Sequence, residues 1–189
     1  MTEDQPAPSQ DQHSQHPAHE QLHFWSFIDH AIASTTRVPG LDPLAMRLVL
    51  TLHRAANMIV YDLESSVHRP RGLSWGGFRV LFVIWLAGPM EARKVAELSG
   101  MSRAAVSALV NTLERDGLVI KERAPYDGRA VLLGLSNRGR EVIMDAFTAH
   151  NARESEWAGA LSQQDQETLV ALLEKLTTHS AHFDARHRS

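Results

Sequence analysis

The hydrophobic period of this chain falls from 3.6 to 2 at Asp116-Gly117 and returns to 3.6 at Ser136, and that interruption limits the folds open to it. Leu118 to Arg123 and Ala130 to Leu135 alternate as strands, and the polar run Ala124-Pro125-Tyr126-Asp127-Gly128-Arg129 between them reads as a turn. A β-hairpin is thereby set into a chain that is otherwise helical. Upstream, Asp42-Pro43 starts a long helix, because Asp caps free amides and Pro at the first helical position gives up an N–H that would be orphaned anyway. Leu44, Leu48, Leu52, Ala55, Ile59, Leu63 and Val67 keep one face of it apolar for about seven turns, to Arg69-Pro70. Ser74 caps the next helix, which is apolar nearly all round (Phe78, Leu81, Phe82, Trp85, Leu86) and therefore central to a core, and Gly88-Pro89 stops it. A short helical pattern from Met90 to Ser99 runs into Gly100, and Ser102 caps a helix with Val106, Leu109, Val110 and Leu113 inward. After the hairpin, Ser136 opens a helix carrying Val142, Ile143, Ala146, Phe147, His150 and Trp157, and Ser162 with Asp165 opens a last one carrying Leu169, Leu172, Leu173 and Leu176.

The N-terminal part is different in kind. Residues 1–21 are dominated by Gln, His, Pro, Ser and acids and cannot repay the entropy of ordering, so a disordered tail is expected. Residues 22–40 hold a short helix, with Leu22, Phe24, Trp25, Ile28 and Ile32 at helical steps, and a linker. The longest strongly apolar run, Val80 to Ala87, is far shorter than the roughly 20 residues that span a bilayer, and the N-terminus lacks the basic and apolar stretches of a secretory signal. A cytoplasmic protein is the expectation. The absence of cysteine excludes disulfides, thiolate metal ligands and thiol nucleophiles. No nucleophile elbow, phosphate-binding Gly loop or His-Glu-x-x-His occurs, so an enzyme is not expected.

Ala96, Gly100 and Val106 have the spacing of a helix-turn-helix: a small residue where two helices cross, Gly where the turn needs positive φ, and a branched residue packing the second helix on the first. The same triplet fits an ordinary helical corner. Its context decides, because the Ser102-capped helix leaves through Leu113-Glu114-Arg115-Asp116-Gly117-Leu118-Val119 straight into a hairpin with an Arg at its tip. That combination is a winged helix. Charge points the same way: the chain as a whole is −3, but residues 71–140 hold 11 basic and six acidic side chains. Counterion release from DNA depends on the basic face that meets the phosphates and not on distant net charge.

The stretch Ser74 to Gly139, with VAELSGMSRAAVSALVNTLERDGLVIKERAPYDGRAVLLGLSNRGR at its centre, resembles the winged-helix core of MarR-type transcriptional regulators. The most specific pieces are the Leu-Glu-x-x-Gly-Leu-Val exit of the recognition helix, the Asp-x-Arg-Ala wing and the following Leu-Ser-x-x-Gly. The resemblance implies a mainly α fold with a small β-hairpin wing, a winged helix-turn-helix over residues 73–136, and dimerisation helices over 41–72 and 137–183. It implies double-stranded DNA as partner and the protein itself as a second one. Ser102, Arg103, Ala105, Ser107 and Asn111 would face the major groove, Arg103 forking onto a guanine edge or meeting a phosphate. In the wing Arg129 resembles the family's minor-groove arginine and Asp127 the carboxylate that orients it, although Asp127-Gly128 also suits a plain turn. Two departures stand out. Ala108 and Gly128 occupy positions where family members often carry basic residues, which places more of the binding on Arg103, Arg129, Lys121 and Arg123.

Geometry adds to the resemblance. The long first helix and the last two carry apolar stripes that one winged helix cannot cover, so a two-fold dimer reading two half-sites of a pseudo-palindromic operator is expected, and the function expected is that of a repressor. The alternative is a winged-helix module that binds protein. Family members commonly sense small, often aromatic, molecules where the dimerisation helices meet the winged helix, and His53, Asn57, Tyr61, Trp75, Arg79 and Phe82 are the candidates for such a cleft. No cofactor is expected. Eleven histidines raise a metal reading, with five from His13 to His30 in or beside the tail and His179, His182 and His187 near the C-terminus. His179 and His182 are i, i+3, but no third ligand has clear spacing, so they read as surface histidines and no metal is expected.

Overall fold

A computed structural model describes residues 24–35, 38–125 and 127–179, excluding the side chains of residues 24–26 and 127–129. The expected N-terminal tail, four of its nearby histidines (His13, His16, His19, His23), and His182 and His187 lie outside the described residues. The chain divides at Arg54/Ala55 into two compact units. The first holds α1 (Phe24–Thr35) and the start of α2 (Pro43–Asp62). Asp42 caps α2 as expected, its carboxylate accepting from the amides of Leu44 and Ala45 at 3.0 Å each. Arg47 ties α2 to α1 through Asp29, and the Thr35 hydroxyl reaches the Met46 sulfur.

In the second unit the α-helical ladder of α2 ends at Asp62, seven residues short of the expected end. Residues Leu63–His68 form a π turn and Arg69–Arg71 a 3₁₀ turn. Pro70 is the physical reason, since it cannot donate to the carbonyl four residues back, and the ladder widens before it. The widening turns Leu63, Val67 and His68 into the core. Next come α3 (Trp75–Ala87), β1 (Met90–Glu91), α4 (Ala92–Ser99), α5 (Arg103–Arg115), β2 (Val119–Ala124), β3 (Asp127–Leu135), α6 (Asn137–Ala158) and α7 (Gln163–His179). Helix α3 is the centre of the core, with Phe78, Val80, Leu81 and Ile84 buried against Val95, Val106, Val110, Leu113, Val119, Leu133, Leu135 and Ile143. Leu86 departs from the expectation of an all-round buried helix: near the C-terminus of α3, it is exposed.

The sheet is antiparallel in the order β1-β3-β2. Strand β1 is two residues long, pairing Met90 with Leu133 and Glu91 with Leu132, and so shows no period in the sequence. The wing differs from expectation in its turn. Strand β3 begins at Asp127 and Ala124 pairs with it across a bulge, so Asp127, Gly128 and Arg129 are strand residues and not part of the turn. Helix α6 packs Ile143, Ala146 and His150 inward. Asp62 at the end of α2 accepts from the Arg153 Nε and Nη2 (2.7 and 2.8 Å) and from the indole N–H of Trp157 (2.8 Å) on α6. Helix α7 has no buried residue: Leu169, Val170, Leu172 and Leu176 are exposed, as are Leu44, Leu48 and Leu52 on α2.

Candidate nucleic-acid interface

Helices α4 and α5 form the expected helix-turn-helix. Gly100 sits at φ +64°, which an L side chain adopts only with strain, and its amide closes α4 onto Ala96 and Glu97. Two residues on, Ser102 is extended at the start of α5 and its hydroxyl accepts from the Ala105 amide at 3.2 Å. The corner is held from beneath by Arg79 of α3, whose guanidinium donates to the Ser99 carbonyl and lies 5.9 Å from the Trp75 ring centroid.

Val106, Val110 and Leu113 bury one face of α5, and Leu109 packs partly against the core, its terminal carbons within 3.4 Å of where a Cβ on Gly76 would stand. The remaining face is open. Arg103, Ala105, Ser107 and Asn111 are exposed, and Ser102 is half-buried at the cap. Alternation along β2 puts Val119, Lys121 and Arg123 on one side, and Val119 is in the core beneath α5. Lys121 accordingly reaches α5, donating to the Asn111 Oδ1 at 3.2 Å and pairing with the Glu114 carboxylate at 2.6 Å. Asn111, Glu114 and Lys121 thus form one cluster at the junction of helix and wing. In the sequence Glu114 belongs to the exit motif, and no spacing there pairs it with Lys121. For Asp127 and Arg129 the backbone is strand β3, and their side chains lie outside the described residues.

Three of the six candidates for an effector cleft, Trp75, Arg79 and Phe82, belong to one aromatic group. Trp75 and Arg79 are in contact, Trp75 stacks with Phe78 (6.1 Å), and Phe82 stacks between Phe78 (5.7 Å) and Phe147 (5.5 Å). His53, Asn57 and Tyr61 are exposed along α2. Within the aromatic group lies a feature that sequence reasoning missed, a fully buried pair in which the His68 Nε2 meets the His150 Nδ1 at 3.1 Å. The residues are 82 apart and no spacing links them. The His150 Nε2 reaches Glu154 at 2.9 Å, while the His68 Nδ1 is buried with no partner. Burial pushes the His68 imidazole down to about 4, and His150 beside it acts in the same direction. Among the described residues no three histidines or carboxylates could hold a metal, and no helix is long and apolar enough to cross a membrane.

A family model described as MarR family matches residues 71–130, from the end of the 3₁₀ turn into the wing. The HTH-type transcriptional regulator YwaE of Bacillus subtilis (strain 168) is 30% identical over 139 residues, covering 74% of this chain and 81% of that protein. Among solved structures, the transcriptional repressor CouR bound to a 23-mer DNA duplex superposes with a TM-score of 0.64 at 26% identity, covering 71% of this chain and 94% of CouR. The organohalide-sensing regulator RdhR, solved ligand-free and with 2,4-dichlorophenol, superposes at 0.69 with 21% identity, over 81% of this chain and 90% of its own, a likeness of fold.

Proposed function

This chain belongs to the MarR family of winged helix-turn-helix transcriptional regulators, a DNA-binding regulator and not an enzyme, and from that premise we propose that it acts in the cytoplasm as a homodimeric repressor. It occupies a pseudo-palindromic operator and a small aromatic effector releases it. The observation that carries the reading is the open face of α5, flanked by Lys121 and Arg123 on the same side of β2. We assign Ser102, Arg103, Ala105, Ser107 and Asn111 to the major groove, and Arg129, oriented by Asp127, to the minor groove beside it, with residues 73–136 as the reading domain.

Gel shifts with genomic fragments test this. Arg103→Ala and Arg129→Ala are each expected to weaken binding about tenfold or more with unchanged circular dichroism. Arg129→Ala should weaken all sequences, most at A·T-rich flanks, and binding should fall steeply with salt. Wild-type affinity in both variants, or a flat salt response, overturns the reading. Repeating the shifts against a panel of phenols tests the effector, since a ligand releases DNA only as far as it prefers the DNA-incompetent form. A panel that releases nothing overturns that part.

The dimer rests on the apolar residues exposed on α7 and α2. A run of leucines and a valine open to water on one helix is a surface that a second copy would cover. Sedimentation of the full chain is expected at twice the chain mass, and Leu172→Glu should shift it to the monomer and weaken operator binding. A wild-type monomer, or a Leu172→Glu protein that stays dimeric, overturns this assignment.

A further inference from the structure

The cluster of Asn111, Glu114 and Lys121 carries an inference about what the recognition helix reads, and it rests on the operator-binding role just proposed. An ammonium group only donates. The atom of Asn111 that meets Lys121 must therefore be Oδ1, since turning Nδ2 there would set donor against donor; the hydrogen-bond chemistry fixes the amide orientation. Glu114, one turn further along α5, holds Lys121 in place at 2.6 Å and offsets its charge. An asparagine prefers adenine by a paired contact, Nδ2–H to N7 and Oδ1 from the N6 amino group. Here Lys121 occupies one of the two Oδ1 lone pairs and holds the oxygen toward β2.

We propose that Glu114 and Lys121 are positioning residues that fix the Asn111 amide so that it reads the major groove chiefly through its Nδ2 hydrogens. With Oδ1 held toward Lys121, Asn111 turns its Nδ2 hydrogens to the base edge. Those suit guanine O6 or N7, thymine O4 or adenine N7 alike, and the paired contact that would favour adenine requires turning Oδ1 away from Lys121.

Selection from a randomised operator library, at low salt so that loss of one cation does not abolish binding, tests this with full-length protein. Asn111→Ala is expected to relax one base-pair position in each half-site and so identify the position it reads. Lys121→Met frees the Oδ1 and should move that same position toward adenine by about tenfold in relative enrichment. Glu114→Gln, which loosens Lys121 without removing it, should move it the same way by less. A Lys121→Met motif identical to wild type at that position overturns the relay, as does an Asn111→Ala motif with every position intact. A wild-type protein that enriches no motif overturns the operator-binding role itself.

Discussion

Gly139→Ala is expected to be the most damaging single methyl group that can be added to this fold, lowering stability by at least about 3 kcal/mol. A Cβ on Gly139 would stand 2.0 Å from the carbonyl oxygen of Leu118 and 2.9 Å from its carbon. Both atoms are backbone, so no rotamer change relieves the clash. Leu118 cannot retreat cheaply either. Its side chain is in the core, its carbonyl accepts from the Ser136 amide at 3.1 Å, and the adjacent Gly117 carbonyl accepts from the Ser136 hydroxyl at 2.7 Å. Ser136 also caps α6 by accepting from the Gly139 amide at 2.9 Å. The start of α6 is thus strapped to the exit of α5, and any shift reaches the Val119–Leu135 pair that opens the wing. Thermal melts should show a loss of roughly 10 °C. Gly76→Ala is the control. Its Cβ would meet only the Leu109 side chain, at 2.9 Å from Cδ1 and 3.4 Å from Cδ2, the end of a flexible side chain, and the gain in helix propensity offsets the crowding, so the change should stay within about 1 kcal/mol. A Gly139→Ala melting point within 2 °C of wild type would refute the strap, the tolerance being about the shift expected from a change of about 0.5–1 kcal/mol.

The strap explains why the Leu-Ser-x-x-Gly motif is legible in sequence without its reason being legible. Features whose cause lies within three or four residues were readable: the Asp42, Ser74, Ser102, Ser136 and Ser162 caps each satisfy an amide two or three residues on, and Gly100 marks its own left-handed turn. The hairpin was readable because period 2 persists through both strands. What escaped depends on distant partners or on too few residues. Strand β1 has only two, the bulge at Arg123/Ala124 that shortens the wing turn leaves no compositional mark, and the ladder widens before Pro70 where apolar spacing alone predicts a continued helix. In the candidate site, the exposed face of α5 followed from the burial of Val106, Val110 and Leu113, but the partnership of Glu114 with Lys121 did not, because it forms across two elements. The effector candidates rest on residue type alone, and type does not distinguish a stacked aromatic such as Phe82 from an exposed one such as Tyr61.

The buried histidine pair makes the fold acid-sensitive above the range where carboxylates titrate. The Nε2 of His150 donates to Glu154, which leaves its Nδ1 lone pair to accept from the His68 Nε2. The His68 Nδ1 is then an unprotonated acceptor enclosed by Trp75, Phe78 and His150, with ring centroids at 5.5, 4.3 and 5.1 Å. A proton added there would create a buried N–H with no acceptor. Glu64 favours the cation, but burial, His150 and Arg71 oppose it and hold the folded group near 4, below the 6.5 of a free imidazole. The unfolded chain therefore binds the extra proton first as pH falls. The contribution is complete above about pH 6.5 and is lost on the way down to about 4. Between pH 7 and 4.5 the wild type is expected to lose about 2 kcal/mol from this group. His68→Gln keeps a donor for His150 but cannot titrate, so denaturant unfolding should show it less stable at pH 7 and less sensitive to acid over the same interval. Asp62, whose carboxyl is held down to about 2 by the Arg153 guanidinium and the Trp157 indole, loses its contribution only between about 3.8 and 2, outside that interval. Equal acid slopes for wild type and His68→Gln would mean that His68 is not what sets the upper part of the acid limb.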